Sequence, residues 1–147
     1  MSRHPVVAVP RGWTQPADDR RPITVAIDGK HPSSSSLRHV PLLVVHAAPL
    51  AELASGDQDT RLNLAEIHAG WKADYPDISV ETFLLPGRPL DTVPSVSDDV
   101  QLLVVGGPYP GREWTRWIRS VARAALDRAT SPVTVIPHQH PRSATAD

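Results

Sequence analysis

The sequence predicts an α/β domain in which a five-stranded parallel sheet is covered by helices on both faces. Five short runs rich in apolar and β-branched residues carry this reading: 23–27, 42–47, 78–85, 102–106 and 132–137. They alternate with helical or helix-sized segments, the pattern of successive βαβ units. Three of them (23–27, 42–47 and 102–106) are nearly free of polar residues, as expected of strands buried on both faces at the centre of a sheet. The run Leu102-Leu103-Val104-Val105-Gly106 then enters Gly107-Pro108-Tyr109-Pro110-Gly111, ahead of a helical stretch from Arg112 to Ala129. Such strand–turn–helix junctions are where α/β proteins present backbone N–H groups to phosphates.

In chain order, Pro5 to Pro10 is a brief β-like run, and Arg11 to Pro22 is a polar linker bounded by prolines. Ile23-Thr24-Val25-Ala26-Ile27 is β-branched and ends at the turn signal Asp28-Gly29. Ser33 to Ser36 have the chemistry to start a short helix before Pro41. Leu50 to Thr60 is expected to be irregular, with a turn at Gly56-Asp57. A helix is expected from about Thr60 to Ala73, because Leu64, Ile67, Trp71 and Tyr75 recur on one face. Ile78 to Leu85 alternates only in part, which suits a sheet edge. Between Pro86 and Asp99 the prolines allow one or two helical turns. The 112–129 helix carries Trp114, Trp117, Ile118, Val121, Ala125 and Leu126 on one stripe, the face expected to meet the core. Pro132–Pro137 is the last strand, and 138–147 is expected to be a disordered tail.

Composition narrows the function. A chain of 147 residues is long enough for one domain with a substantial core. A formal net charge of −1 argues against a nucleic-acid-binding surface, and no apolar run is long enough to span a bilayer. With 0 cysteines, thiolate catalysis and cysteine–zinc sites are excluded. The opening residues lack the apolar core of a secretory signal, so a cytoplasmic protein is expected.

One internal echo stands out. His4-Pro5-Val6-Val7-Ala8-Val9-Pro10 repeats the pattern of Ser131-Pro132-Val133-Thr134-Val135-Ile136-Pro137. Chance is one explanation. The other is that the first segment is the last strand of a lost or preceding copy of the same domain. Residues 5–9 would then add to the sheet beside 133–136, in cis or across a dimer, and cover an apolar edge.

Taken in order, Ile23–Gly29, Val44-Val45-His46-Ala47, Leu85-Pro86-Gly87-Arg88-Pro89, Leu102–Gly106 and Ser120-Val121 through Ile136 resemble the universal stress protein family. The resemblance covers roughly 23–137, and the segment through Arg11-Gly12-Trp13 resembles the junction between two such domains in tandem members. It implies a doubly wound sheet of order 3-2-1-4-5, although the crossover between Asp28 and Pro41 is shorter here than the family's usual first helix. It also implies a homodimer formed through the last strand, to which the N-terminal strand would add as an extra edge. The expected division is 1–22 as strand and linker, 23–137 as the domain and 138–147 as the tail.

In members that bind ATP, the turn after the fourth strand follows a glycine pattern that this chain matches incompletely. Gly106 matches the first glycine and Ser120 and Val121 match the final positions, but Tyr109 and Arg119 stand where glycines belong. Gly111 replaces a missing glycine only with a shift of two residues. Pro108 and Pro110 each delete a backbone donor from a loop that works through such donors. The expected function is therefore a non-enzymatic dimerising or regulatory stress-response module with a degenerate nucleotide pocket and no cofactor. The alternative is an ATP-binding member using Asp28, Gly106, Gly107, Gly111, Ser120 and Val121, with Arg119 pairing with phosphate. A second alternative is a small hydrolase or transferase on the same scaffold.

Other candidates have plain readings beside the functional ones. Asp28 is a nucleotide contact or the cap of the following turn. His46, at the rim end of its strand, is a base or a packed side chain. His138 and His140 have a metal-capable spacing without a third ligand. Arg112, Arg116, Arg119 and Arg123 form either a solvated helix face or a site for an anionic partner. Trp114 and Trp117 are read as core, with an interface or pocket cap as the other role. No Gly-x-Ser-x-Gly elbow marks an activated nucleophile.

Overall fold

The structure is a computed structural model that describes residues 5–27, 40–55, 58–106 and 114–137; for 114–120 it describes the helical backbone. The described elements run β1 (Val6–Ala8), β2 (Ile23–Ala26), β3 (Leu42–Ala48), α1 (Leu50–Ala54), α2 (Gln58–Asp74), β4 (Val80–Pro86) and α3 (Pro89–Ser95). A 3₁₀ turn at Val96–Asp99, then β5 (Leu102–Gly106), α4 (Trp114–Arg128) and β6 (Val133–Ile136) complete them.

The strands form one 6-stranded sheet in the order β1-β6-β5-β2-β3-β4. Every pairing from β6 to β4 is parallel, with Thr24 opposite both Leu43 and Leu103 at the centre. The purest apolar strands, β2, β3 and β5, lie together in the middle, where both faces are covered and no polar alternation is needed. β4 is an outer strand, and its alternating exposure fits a strand with one wet face.

Because side chains alternate across a strand, β2 feeds two cores. On one face Ile23, Val25 and Ile27 join Leu42, Val44 and Val104 beneath Leu64 and Trp71 of α2. On the other, Leu103, Val105 and Val133 pack with Val93 of α3 and Ala122 and Ala125 of α4. At the surface Arg128 ties α4 to α3: it donates to the Leu90 carbonyl and lies 3.5 Å from the Asp91 carboxylate.

Several expectations need correction. Leu50–Ala54, expected to be irregular, is a helix that starts after Pro49 and carries Glu52 in its first turn, a placement that favours helix initiation. Tyr75, expected on the buried face of α2, falls beyond the helix end and is 45% exposed. Leu126, expected on the core stripe of α4, is 46% exposed, while Ala122 takes the inward place at 6%. Small residues at 122 and 125 let α4 lie close on the sheet, so the buried stripe is narrower than hydrophobicity alone implies. The segments expected to hold a short helix near Ser33, the Gly56-Asp57 turn and the tail lie outside the described residues.

The linker between β1 and β2 is fastened at its second half. The Arg21 guanidinium pairs through two nitrogens with the Asp19 carboxylate, at 2.9 and 2.8 Å. The Gln101 side-chain amide donates to the Arg21 carbonyl at 2.6 Å, and its backbone N–H donates to Pro22. Among the described backbone bonds, the first half has the Trp13 N–H to Pro10 carbonyl turn.

Candidate functional site

The strand order reverses between β2 and β5: the chain proceeds from β2 outward to β3 and β4, then returns to β5 and moves outward to β6. In open α/β sheets the crevice beyond the carboxyl ends at such a reversal is where ligands bind. Here that rim is bounded by Ile27 after β2, His46–Ala48 of β3, Gly106 of β5 and Ile136 of β6.

His46 ties two of these strand ends together. Its Nδ1 lies 2.9 Å from the Ile27 carbonyl oxygen, and because a carbonyl can only accept, Nδ1 carries the proton. In the neutral ring Nε2 is then left as an acceptor. The backbone supports the arrangement from the same side, with the Ile27 N–H donating to the Val45 carbonyl at 3.0 Å. Of the two readings of His46, the structure supplies the packing one with a named partner.

A small cavity adjoins His46, lined also by Ala48, Glu52, Leu53, Thr60, Arg61 and Leu84. Its volume is about 20 Å³, enough for a single water. It lies over the ends of β3 and β4, one strand away from the reversal. Sequence reasoning missed Glu52 and Arg61 as rim residues because α1 was not anticipated; Pro49 followed by an acidic residue in the next turn was the available signal.

Gly87 shapes the far end of the rim. Its φ is +133°, its N–H donates to the Ala48 carbonyl at 2.9 Å, and a Cβ there would run into the Thr92 hydroxyl. Both the backbone conformation and the close approach of α3 require glycine.

Of the residues anticipated for nucleotide contact, Gly106 ends β5 opposite Ile136. Val121 is half-buried and packs against the second core, so it serves the fold. Arg119 and Ser120 lie in the first half of α4, where only the backbone is described. Asp28, Gly107 and Gly111 lie outside the described residues, as do Arg112, His138 and His140. Arg123 is exposed, 3.7 Å from the Asp127 carboxylate one turn on. Among the described residues no three His, Asp or Glu side chains are grouped to hold a metal ion, and no helix is long and apolar enough to cross a membrane. His68 is used structurally, its Nδ1 3.0 Å from the Thr82 hydroxyl, linking α2 to β4.

No protein-family model matches the chain. A universal stress protein of Mycobacterium tuberculosis strain H37Rv is 32% identical over 137 residues, which take in 82% of this chain and 46% of that protein. The chain thus spans about half the length of the curated relatives it matches. Among solved structures, a universal stress protein in complex with cAMP superposes with a TM-score of 0.58 at 22% identity, covering 82% of this chain and 98% of that one. A universal stress protein from Archaeoglobus fulgidus DSM 4304 superposes with a TM-score of 0.57 at 15% identity, over 94% of this chain and 51% of that one. Such broad coverage takes in most of the segment before Ile23. Sequence likeness over four-fifths of its length and a shared α/β architecture place this chain in the universal stress protein family.

Proposed function

We propose that this chain is a non-enzymatic regulatory domain of its family, whose nucleotide site has lost the means to cradle phosphate. The observation that carries the reading is the identity of the residues that follow β5 at the strand reversal. A phosphate cradle there works through successive backbone N–H donors, and Pro108 and Pro110 have none whatever path the loop takes. Tyr109 between them adds bulk where close backbone approach is needed. These loop residues do not suit a bound phosphate, and the reading that remains for the domain is that of a dimerising or regulatory module.

Adenine nucleotides are the ligands to try, because a family member has been solved with cAMP. The 4 tryptophans, two of them in α4, make intrinsic fluorescence a direct reporter. Titration with ATP and with cAMP should give no saturable change below millimolar concentration. Saturable quenching at micromolar ATP, weakened by Arg119→Ala, would establish the ATP-binding alternative. Release of inorganic phosphate from ATP, lost in Asp28→Ala, would establish an enzyme.

A further inference from the structure

β4 ends the sheet on the side away from β6, so one of its backbone edges has no strand beside it among the described residues. Two bonds that flank its ladder fix which way each residue faces. The Leu42 N–H donates to the Ser79 carbonyl, and the Gly87 N–H donates to the Ala48 carbonyl. A strand residue turns its N–H and C=O to the same side, and its neighbours turn theirs to the other. Glu81, Phe83 and Leu85 are therefore in phase with Ser79 and Gly87 and bond to β3, while Val80, Thr82 and Leu84 direct N–H and C=O outward. Pro86 belongs to the outward set, where a missing N–H costs no ladder bond. Natural proteins blunt such an edge with short strands, bulges, lysines or prolines. β4 is 7 residues long, pairs with β3 without a break from Val80 to Pro86, and has Glu81 as its one charged residue.

A basic flank overlooks this edge. Arg61, Ala65, His68 and Lys72 recur along α2 at spacings of four, three and four, which places them on one stripe. Two contacts set the stripe over β4: His68 bonds to Thr82, and Arg61 shares the small cavity with Leu84. The crossover helix runs back along the sheet, so Lys72 lies towards Val80. Arg61, Ala65 and Lys72 are exposed, and among the described residues neither Arg61 nor Lys72 is in an ion pair. The stripe carries no carboxylate. On the opposite face of the strand, Phe83 is 42% exposed and Glu81 is exposed as well.

We infer that β4 takes up an extended acidic segment of another protein as an added strand. The outward groups of Val80, Thr82 and Leu84 supply main-chain bonds, and the side chains on either face supply selectivity. Guest residues opposite Val80 and Leu84 point to the α2 side, so carboxylates there, four positions apart, meet Lys72 and Arg61. The guest's intervening residues lie on the other face, where Phe83 favours apolar side chains and Glu81 disfavours acids. A second copy of this chain lacks that charge pattern, because its own β4 would offer Val80, Thr82 and Leu84 to the α2 side. The inference goes beyond the regulatory reading and is independent of what the rim binds.

The probe is a blocked heptapeptide, Thr-Glu-Val-Thr-Val-Glu-Thr, whose palindromic order serves either strand direction. Its control has lysine in place of glutamate. Amide hydrogen exchange of the full chain, resolved by NMR, is the readout. In the free protein the N–H groups of Val80, Thr82 and Leu84 should exchange fast, and those of Glu81, Phe83 and Leu85 slowly. The glutamate peptide should slow the first three saturably, with the effect declining at high salt, and the lysine peptide should not. Arg61→Glu/Lys72→Glu changes two exposed positions and should weaken the glutamate peptide about tenfold, with circular dichroism unchanged. Equal protection by both peptides, no protection at millimolar glutamate peptide, or an unweakened double variant would overturn the inference. Protection that grows with protein concentration alone would assign the edge to a second copy and overturn it equally.

Discussion

At the scale of single residues, the rim is built from side chains and backbone groups that have specific partners. Gly87 is the clearest case: positive φ and the nearby Thr92 hydroxyl both exclude a side chain. Gly87→Ala should therefore destabilise the fold by about 1–3 kcal/mol, through strain at φ > 0 and displacement of α3. Thermal or urea unfolding checks this, and an unchanged midpoint would mean that the β4–α3 junction is looser than described. The family resemblance singled out Leu85–Pro89 without a reason for its glycine; the reason emerges only when α3 is folded back against β4. His46 teaches a similar lesson. Its place at the end of a buried strand was legible, but its bond to Ile27 was not, since that partner lies 19 positions away and depends on the β2–β3 register.

At the scale of elements, periodicity was a good guide where apolar residues were unambiguous. α2 buries Leu64 at 4% exposure and leaves Leu62 at 53%. Leu64→Ala should cost about 2–5 kcal/mol, whereas Leu62→Ala should fall within about 0.5 kcal/mol of the parent. Similar costs at both positions would show that α2 does not present this face to the sheet. In α4 periodicity placed Ala125 inward correctly but put Leu126 where Ala122 is buried, and the five residues of α1 were too few to show a period. The linker makes a different prediction. The hydrogen bonds of Arg21 hold the Asp19 carboxyl below its ordinary pKa, so its folded-state value is depressed. The stabilisation is therefore complete above the ordinary carboxylate range and is lost as pH falls through the depressed value. Hydrogen exchange at the Arg21 N–H, which donates to Asp19 at 3.2 Å, should accelerate in acid beyond the intrinsic rate, and Asp19→Asn should remove that dependence. Equal pH dependence in both proteins would mean that the pair does not fasten the linker.

At the scale of the whole molecule, the sheet explains why the fold was more legible than the site in this sequence. The fold was legible because β2, β3 and β5 are nearly pure apolar runs in the order that a two-sided parallel sheet requires. The site was legible only as a location. Strand ends position Ile27, His46 and Gly106, but binding depends on loops whose key residues, Asp28, Gly107 and Gly111, lie outside the described portion. The proposal rests there on covalent chemistry: prolines at 108 and 110 cannot donate. The central claim is that this domain keeps the family's frame without its nucleotide cradle. Mass spectrometry of the purified full chain, with the released small molecules identified after denaturation, tests it most directly. The expected result is protein free of adenine nucleotide, and recovery of ATP, ADP or cAMP in near-equimolar amount would contradict it.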